Sequence, residues 1–329
     1  MPVRLGLIGA GRWGKVYIRT LLSLPDRCRL THLCTSKPEN AALIPHPVTI
    51  VPGWRELIAA DCDAVIIATP PQTHAELLEA CVKAGKPCVV EKPLCFDVAT
   101  AERLDRLVQA AGIPVLVDHT HVLTSAYETL KRTVKQAGEP VRMVLSAGMG
   151  FGPFRTDVSA LWDWAPHDIS LCLDLLGAMP QEIEVFGGPA NAAGEPEMVS
   201  VRLQFPHETC AWIQLGRLSP DKRRSFSVMT DQHVYLLDDL APEKLVAAAV
   251  RYSERYAEGA AGLPELLPLK VSSADVPPMV QVISYFLDGL AGADRSRFGT
   301  TLALDVTRVL AECDRLLQHK RSRSHQSVS

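Results

Sequence analysis

Several features are missing from this sequence. No apolar run approaches 18 residues, which excludes a membrane-spanning helix of ordinary length. The nine cysteines are scattered, odd in number and never spaced as C-x-x-C, so neither a disulfide framework nor a zinc or other metal site is expected. The first residues lack the charged and apolar regions of a signal peptide. These absences predict a soluble protein of the reducing cytoplasm.

An excess of positive charge is also missing. Lys and Arg number 34 against 37 Asp and Glu, a net charge of −3, so no global positive field is available to hold a polyanion. Nucleic acid and membrane surfaces are therefore not expected partners. With 47% apolar and 22% charged residues in 329, the composition is that of a globular chain of two domains or one large one.

Up to about residue 120, short runs rich in Val, Ile and Leu alternate with helical patterns, such as 72–84 and 97–111. This alternation is typical of βαβ units and predicts an α/β fold with a doubly wound parallel sheet. Asp97 is the expected N-cap of the second helix, and Gly112 its C-cap. The six predicted strands are Val3–Ile8, Arg29–Cys34, Val48–Val51, Ala64–Ala68, Cys88–Glu91 and Val115–Asp118.

The pattern changes after residue 120. We expect a helix at 125–137, a strand at 141–146, a short helix near 166–176, and an antiparallel hairpin at 199–215. Two apolar helices close the chain. The sequence thus predicts a first domain at 1–120, a second at 121–319 and a basic tail at 320–329. For the tail, a disordered end is the favoured interpretation and an anion-binding arm the alternative.

A glycine-rich motif follows the first strand directly. Gly9, Gly11 and Gly14 form G-x-G-x-x-G, with Arg12 and Trp13 inside it. In this strand-turn-helix context the first glycine permits a tight turn, the second the approach of a pyrophosphate, and the third close helix packing. The helix N-terminus offers N–H groups to the anion. We therefore predict a dinucleotide site, although glycines also serve ordinary tight turns.

The second strand ends without the acidic residue that would accept hydrogen bonds from the ribose of NAD. Thr35, Ser36 and Lys37 stand there instead. Two interpretations stay open. These donors could hold a 2′-phosphate, which favours NADP over NAD, or Lys37 is a solvated loop residue before a proline turn.

Two further groups of residues carry potential chemistry. Glu91 and Lys92 end the fifth strand before Pro93, at the sheet edge where ligands of open α/β folds bind, although such a pair is often simply solvated. Asp163 and His167 flank a proline in a helix expected to begin near residues 163–166. His167 near that N-terminus would stay neutral and could accept a proton, whereas the structural alternative makes Asp163 the N-cap and His167 a buried histidine.

Together these motifs resemble the glucose-fructose oxidoreductase / inositol dehydrogenase / MocA (Gfo/Idh/MocA) family. The resemblance implies an N-terminal NAD(P)-binding Rossmann domain and a C-terminal substrate-binding and oligomerisation domain with a large, open, mainly antiparallel sheet. It assigns catalytic roles to Lys92, Asp163 and His167. It places four residues at the nicotinamide. The motifs that carry the resemblance are the glycine motif, Ala68–His74, Gly85-Lys86, Glu91–Pro93 and the D-x-x-x-H pair, and the four nicotinamide residues are Thr69, Pro70, His74 and Glu91.

The resemblance implies an oxidoreductase that transfers a hydride between NADP or NAD and a CH–OH or carbonyl carbon of a sugar, sugar nucleotide or cyclitol. The alternative is a catalytically inactive NAD(P)-binding regulator on the same scaffold. Arg155, Asp157 and Trp162 are candidates for substrate contacts, or loop residues of purely structural importance. A homodimer or homotetramer is expected.

Overall fold

A computed structural model describes residues 1–250, 265–273 and 275–326, with side chains described up to Arg321. The chain forms two compact units, and each contains two stretches of sequence. The first unit consists of Met1–Leu123 and Val276–Thr307, and the second of Thr124–Asp275 and Arg308–Ser329.

The first unit contains a sheet of six parallel strands in the order β3-β2-β1-β4-β5-β6. Every residue of β4, β5 and β6 is buried, as expected for parallel strands covered on both faces. This confirms the predicted doubly wound sheet. The strands are β1 Val3–Ile8, β2 Cys28–Cys34, β3 Thr49–Ile50, β4 Ala64–Ile67, β5 Cys88–Glu91 and β6 Val115–Asp118.

Four helices connect these strands. They are α1 Arg12–Leu22, α2 Trp54–Ala59, α3 His74–Lys83 and α4 Val98–Ala111. The predicted caps of α4 are confirmed. The Asp97 carboxylate accepts a hydrogen bond from the Thr100 backbone N–H at 2.8 Å, and Gly112 is left-handed with φ of 63°.

The second unit contains an eight-stranded sheet in the order β14-β13-β12-β11-β7-β10-β9-β8. Neighbouring strands are antiparallel except for β7 and β10, which confirms the expected mainly antiparallel sheet, including the predicted hairpin of β9 and β10. The strands are β7 Val141–Phe151, β8 Glu182–Gly187, β9 Met198–Gln204, β10 Cys210–Gly216, β11 Leu218–Thr230, β12 His233–Asp238, β13 Leu245–Ala249 and β14 Leu267–Pro268.

Two helices of the second unit precede and follow β7: α5 Ser125–Ala137 and α6 Ala160–Leu176. The expected start of α6 near residues 163–166 is wrong. The helix begins at Ala160, its N-cap is Ser159, and Pro166 lies inside it. An interior proline costs a helix about 3 kcal/mol, and the unbroken burial of residues 165–173 against the sheet offsets that cost.

The last two helices do not follow the predicted division of the chain into domains at 1–120 and 121–319. They are α7 Pro278–Leu290 and α8 Thr301–Gln326. Helix α7, expected in the second domain, packs its buried Val282, Ile283 and Phe286 into the core of the first unit beside Leu116. Its apolar residues repeat at helical spacing. This pattern predicts a helix buried in a core, but it does not indicate which of the two cores the helix joins.

The predicted disorder of the tail is also corrected. Helix α8 continues through residues 320–326. The Lys320 ammonium donates to the Val185 carbonyl at 2.7 Å and lies 4.3 Å from the centroid of the Phe186 ring. Arg321 donates to the Ala193 carbonyl at 3.1 Å. The remaining residues of the predicted tail, 327–329, lie outside the described part of the chain.

Candidate functional site

The three glycines of the G-x-G-x-x-G motif differ in their surroundings. Gly9 has φ of +96°, and a Cβ there would lie 2.6 Å from the Ala68 carbonyl oxygen. A Cβ on Gly14 would lie 2.0 Å from the Gly9 carbonyl oxygen, whereas one on Gly11 would meet no atom within 4 Å. The tight turn, the open approach and the close packing that a pyrophosphate site requires therefore fall on the three expected residues.

The N-terminus of α1 is open to an anion. Gly11 is its N-cap, no side chain caps it, and its first turn has no acidic residue. Arg12 is exposed at the first helical position, whereas Trp13 is half-buried against the core of the unit. Asn40 holds the turn in place by donating to the Ala10 carbonyl at 2.7 Å. Free N–H groups and the helix dipole fit a dinucleotide pyrophosphate here.

The end of β2 presents hydroxyl and ammonium groups. The Thr35 hydroxyl accepts a hydrogen bond from the Lys37 backbone N–H at 3.0 Å, which orders the turn. Ser36 and Lys37 are exposed. The next acid along the chain, Glu39, lies in the first turn of a 3-10 helix and is also exposed.

The loop after β4 depends on His74, which is fully buried. Its Nε2 lies 2.9 Å from the Thr69 carbonyl oxygen and its Nδ1 lies 2.8 Å from that of Pro93. Burial lowers the pKa of His74. Because both ring nitrogens lie within hydrogen-bond distance of backbone carbonyls, His74 links the loops after β4 and β5. Thr69 is half-buried and Pro70 is exposed, so both remain available.

A buried polar cluster occupies the carboxyl ends of β5 and β6. Glu91 and Asp118 are directly paired across the two strands, and both are buried. The Tyr17 hydroxyl donates to Asp118 Oδ2 at 2.5 Å and the Thr120 hydroxyl to Oδ1 at 2.8 Å. Lys92 follows Glu91, is only 6% exposed and forms a cis peptide bond with Pro93. The predicted strand-end lysine is thus buried among acids and is not a solvated residue.

Burial changes the proton affinities in this cluster. Loss of water, followed by the charge of Asp118, raises the pKa of Glu91 to about 8, with Lys92 opposing the change. Burial also raises the pKa of Asp118, and it lowers the pKa of His119 to about 3 with help from the Lys92 charge. Burial thus favours the neutral forms of Glu91 and His119.

In the second unit, α6 presents Asp163 and His167 one turn apart. The Arg155 guanidinium lies 3.2 Å from Asp163 Oδ1 and also binds both carboxylate oxygens of Asp157. His167 is buried to 9% exposure in the third turn of the helix. The expectation that the helix N-terminus keeps His167 neutral is therefore wrong, since that effect is confined to the first turn. Trp162 is buried in the helix.

The loop that carries Arg155 is held by a fully buried arginine. Arg217 donates to the Arg155 carbonyl at 3.0 Å and to the Val158 carbonyl at 2.6 Å, while its Nε lies 3.6 Å from a carboxylate oxygen of Glu197. Sequence reasoning missed Arg217 and Tyr17. Arg217 reaches the Arg155 and Val158 carbonyls across 62 and 59 positions of the chain, and Tyr17 reaches Asp118 across 101, so no local pattern could reveal these contacts.

Asp168, which follows His167 in α6, forms a further polar contact with the second sheet. Asp168 accepts a hydrogen bond from the Ser146 hydroxyl at 2.6 Å, and its other oxygen lies 3.5 Å from Arg224. A Cβ on Gly148 would lie within 2.8 Å of both charged groups, so a larger residue on β7 would require this ion pair to shift. The Arg224 guanidinium lies 5.5 Å from the ring centroid of Trp164.

Two kinds of site are absent from the residues that the structure describes. No group of three His, Cys, Asp or Glu side chains there could hold a metal ion. No helix in that part of the chain has the length and apolarity needed to cross a membrane.

The model of an oxidoreductase family with an NAD-binding Rossmann fold, Gfo/Idh/MocA, matches residues 3–119. Inositol 2-dehydrogenase 2 of Paenarthrobacter aurescens is 30% identical over 208 residues, which cover 60% of this chain and 62% of that enzyme. UDP-N-acetylglucosamine 3-dehydrogenase of Acidithiobacillus ferrooxidans is 23% identical over 291 residues, covering 88% of this chain and 89% of that enzyme.

Solved structures extend the match to nearly the whole chain. The crystal structure of a candidate oxidoreductase from Magnetospirillum magnetotacticum MS-1 has 36% identity and a TM-score of 0.85, covering 95% of this chain and 100% of that one. The A. ferrooxidans dehydrogenase has a TM-score of 0.80 at 20% identity, covering 96% and 98%, and shares the fold. This chain belongs to the Gfo/Idh/MocA family of oxidoreductases.

Proposed function

We propose that the protein is an NAD(P)-dependent dehydrogenase or reductase that acts on a CH–OH or carbonyl carbon of a sugar, sugar nucleotide or cyclitol. The observation that carries this proposal is Lys92, an ammonium buried at the carboxyl end of β5 in a sheet whose glycine turn fits a dinucleotide. Relatives named for inositol and UDP-N-acetylglucosamine support the substrate class.

The proposed roles divide among three side chains. The bound nicotinamide would supply the hydride acceptor or donor. In the oxidation direction the His167 imidazole takes the proton of the substrate hydroxyl, while the Lys92 ammonium donates a hydrogen bond to the same oxygen as negative charge develops there. Asp163, held by Arg155, orients the pair electrostatically. Gly9, Gly11 and Gly14 receive the pyrophosphate.

The proposed roles predict the kinetics of Lys92→Met and His167→Ala. Each change should lower the single-turnover rate roughly 10²- to 10⁴-fold with little change in cofactor affinity, because both groups act on charge that develops at the reacting oxygen. The double variant should lose far less than the product of the two losses. Lys83→Met, at a lysine on the exposed face of α3, is the matched control and should be unaffected.

The measurement follows nicotinamide absorbance with a panel of cyclitols, sugars and nucleotide sugars. Firm cofactor binding without turnover of any of them would contradict the enzyme and favour the inactive regulator. Near-normal turnover by Lys92→Met would remove Lys92 from the catalytic role.

For the cofactor we propose a preference for NADP(H), supported by Thr35, Ser36 and Lys37 at the end of β2, where no carboxylate stands. Lys37→Ala should weaken NADP(H) binding several-fold and leave NAD(H) binding unchanged, since only the former carries the 2′-phosphate. Titration of both cofactors against wild type, Lys37→Ala and Lys83→Ala measures this. An NAD preference that Lys37→Ala leaves unchanged would contradict the proposal.

We further propose a homodimer or homotetramer in the cytoplasm. Trp212 and Leu145 are paired across β10 and β7, and each exposes about two fifths of its surface on one face of the second sheet. Such a patch is typical of an association surface. Nine free thiols suit a reducing compartment. Light scattering that gives a monomeric mass would contradict the oligomer.

A further inference from the structure

The cluster at the ends of β5 and β6 holds more acid than base. Glu91, Asp118 and Lys92 are all buried, the two acids are paired across β5 and β6, and the charge of Lys92 acts on both of them. If both acids were ionised, one negative charge would lack compensation away from water, a state far more costly than protonation of one acid. The geometry therefore requires one proton to remain on the pair.

The hydrogen bonds show which acid keeps the proton. Both oxygens of Asp118 accept from hydroxyl groups, those of Tyr17 and Thr120, which stabilise its ionised form. Glu91 is contacted by Tyr17 and by the Lys92 backbone N–H, but its Oε1 is buried and has no hydrogen-bond partner among the described residues. A carboxylate with a buried, unpartnered oxygen is unfavourable, so the charge belongs to Asp118 and the proton to Glu91.

We propose that Glu91 and Asp118 act as a proton-sharing pair that provides Lys92 with a single counter-charge, with Asp118 as the positioning residue. What Lys92 does with its ammonium rests on the proposed function, but the protonation of the pair does not. Ionisation of Glu91 releases its proton to solvent and leaves two carboxylates around Lys92. The second carboxylate then competes with the reacting oxygen for the ammonium.

Other titratable groups near the pair do not take over the roles of Glu91, Asp118 or Lys92. Tyr17 reaches it from α1, and burial raises its pKa well above the usual value, so it remains a neutral donor. His119 follows Asp118 and is neutral, and His74 of α3 is held by two backbone carbonyls. His121 beyond β6 acts on Asp118 only as a minor charge. Lys92 is the main cation that faces the acids.

The test is a pH titration of the cofactor-free protein by difference infrared spectroscopy, which detects the carbonyl stretch of a protonated carboxyl group. Wild type should show this band at pH 6.5 and lose it with a midpoint near pH 8. Glu91→Gln should lack the band. Asp118→Asn should lose it already at neutral pH, because Glu91 then becomes the sole counter-ion of Lys92. Glu76→Gln, at an exposed acid of α3, should titrate like wild type.

Three results would overturn the proposal: no protonated band in wild type at pH 6.5, a band that survives in Glu91→Gln, or an Asp118→Asn midpoint equal to that of wild type. Circular dichroism checks that each variant folds, and the wild-type titration needs no variant. Absence of turnover with every substrate would contradict the proposed function and leave the infrared result intact. With an active substrate, the wild-type rate should fall above the same midpoint.

Discussion

Gly11 and Gly14 stand in the same turn but leave very different room for a methyl group. Gly14→Ala should lower the free energy of unfolding by about 1–3 kcal/mol, because its Cβ would lie 2.0 Å from a backbone oxygen that cannot move freely. Gly11→Ala meets open space and should cost less than about 1 kcal/mol, the scale of a weaker N-cap. Chemical denaturation of the two variants measures the difference.

In a cofactor titration the larger effect should come from Gly11→Ala, the variant with the smaller loss of stability. A methyl group on Gly11 would occupy the space that the pyrophosphate needs, so Gly11→Ala should bind the dinucleotide at least tenfold more weakly while it remains folded. Equal stability losses in the two variants would contradict the difference in room at the two glycines. Unchanged cofactor affinity in Gly11→Ala would show that the pyrophosphate does not lie against this turn.

Sequence patterns predicted the residue types of the site better than their surroundings. The glycine motif and the strand-end Lys92 stand where the motifs indicated. The contacts of His74 could not be predicted from the sequence, because its ring contacts two loops that only the folded sheet brings together. The same holds for Tyr17, which reaches Asp118 from α1 across 101 positions.

At the level of elements, the parallel strands were predictable because continuous Val and Ile runs are typical of strands buried on both faces. The length of β7 was not. Its predicted end at Ser146 falls short of Phe151, since Gly148 and Gly150 resemble a strand end. The structure gives the reason for Gly148, which makes room for Asp168 and Arg224. Glycine at this position reflects close packing of side chains against the strand and not the end of the strand.

The start of α6 shows how local rules mislead near a buried element. Proline normally belongs in the first turn, which favoured a start near Pro166. The structure keeps Pro166 inside the helix, with Ser159 accepting a hydrogen bond from Trp162 at the true N-terminus. His167 therefore lies in the third turn of the helix, beyond the first turn to which the dipole effect is confined.

At the scale of the whole molecule, buried ionisable groups set how stability changes with pH. The folded pKa of His119 lies far below its usual value, so the unfolded chain binds more protons there below about pH 6.5, and stability falls as the solution becomes more acidic. Burial raises the pKa of several thiols, among them Cys95 and Cys28, to about 11, so stability falls again above about pH 8.5. Between these limits lies the raised pKa of Glu91.

Glu91 predicts a loss of stability between pH 6.5 and 8. Its folded pKa of about 8 is well above that of an unfolded glutamate, so the native state binds the extra proton in this window and stability falls as pH rises. The slope for one proton is at most about 1.4 kcal/mol per pH unit. Urea unfolding at half-unit steps should show this fall in wild type and in the exposed-acid control Glu76→Gln, and a flat response in Glu91→Gln. A wild-type stability that stays level or rises across the window would mean that Glu91 is already ionised in the native protein.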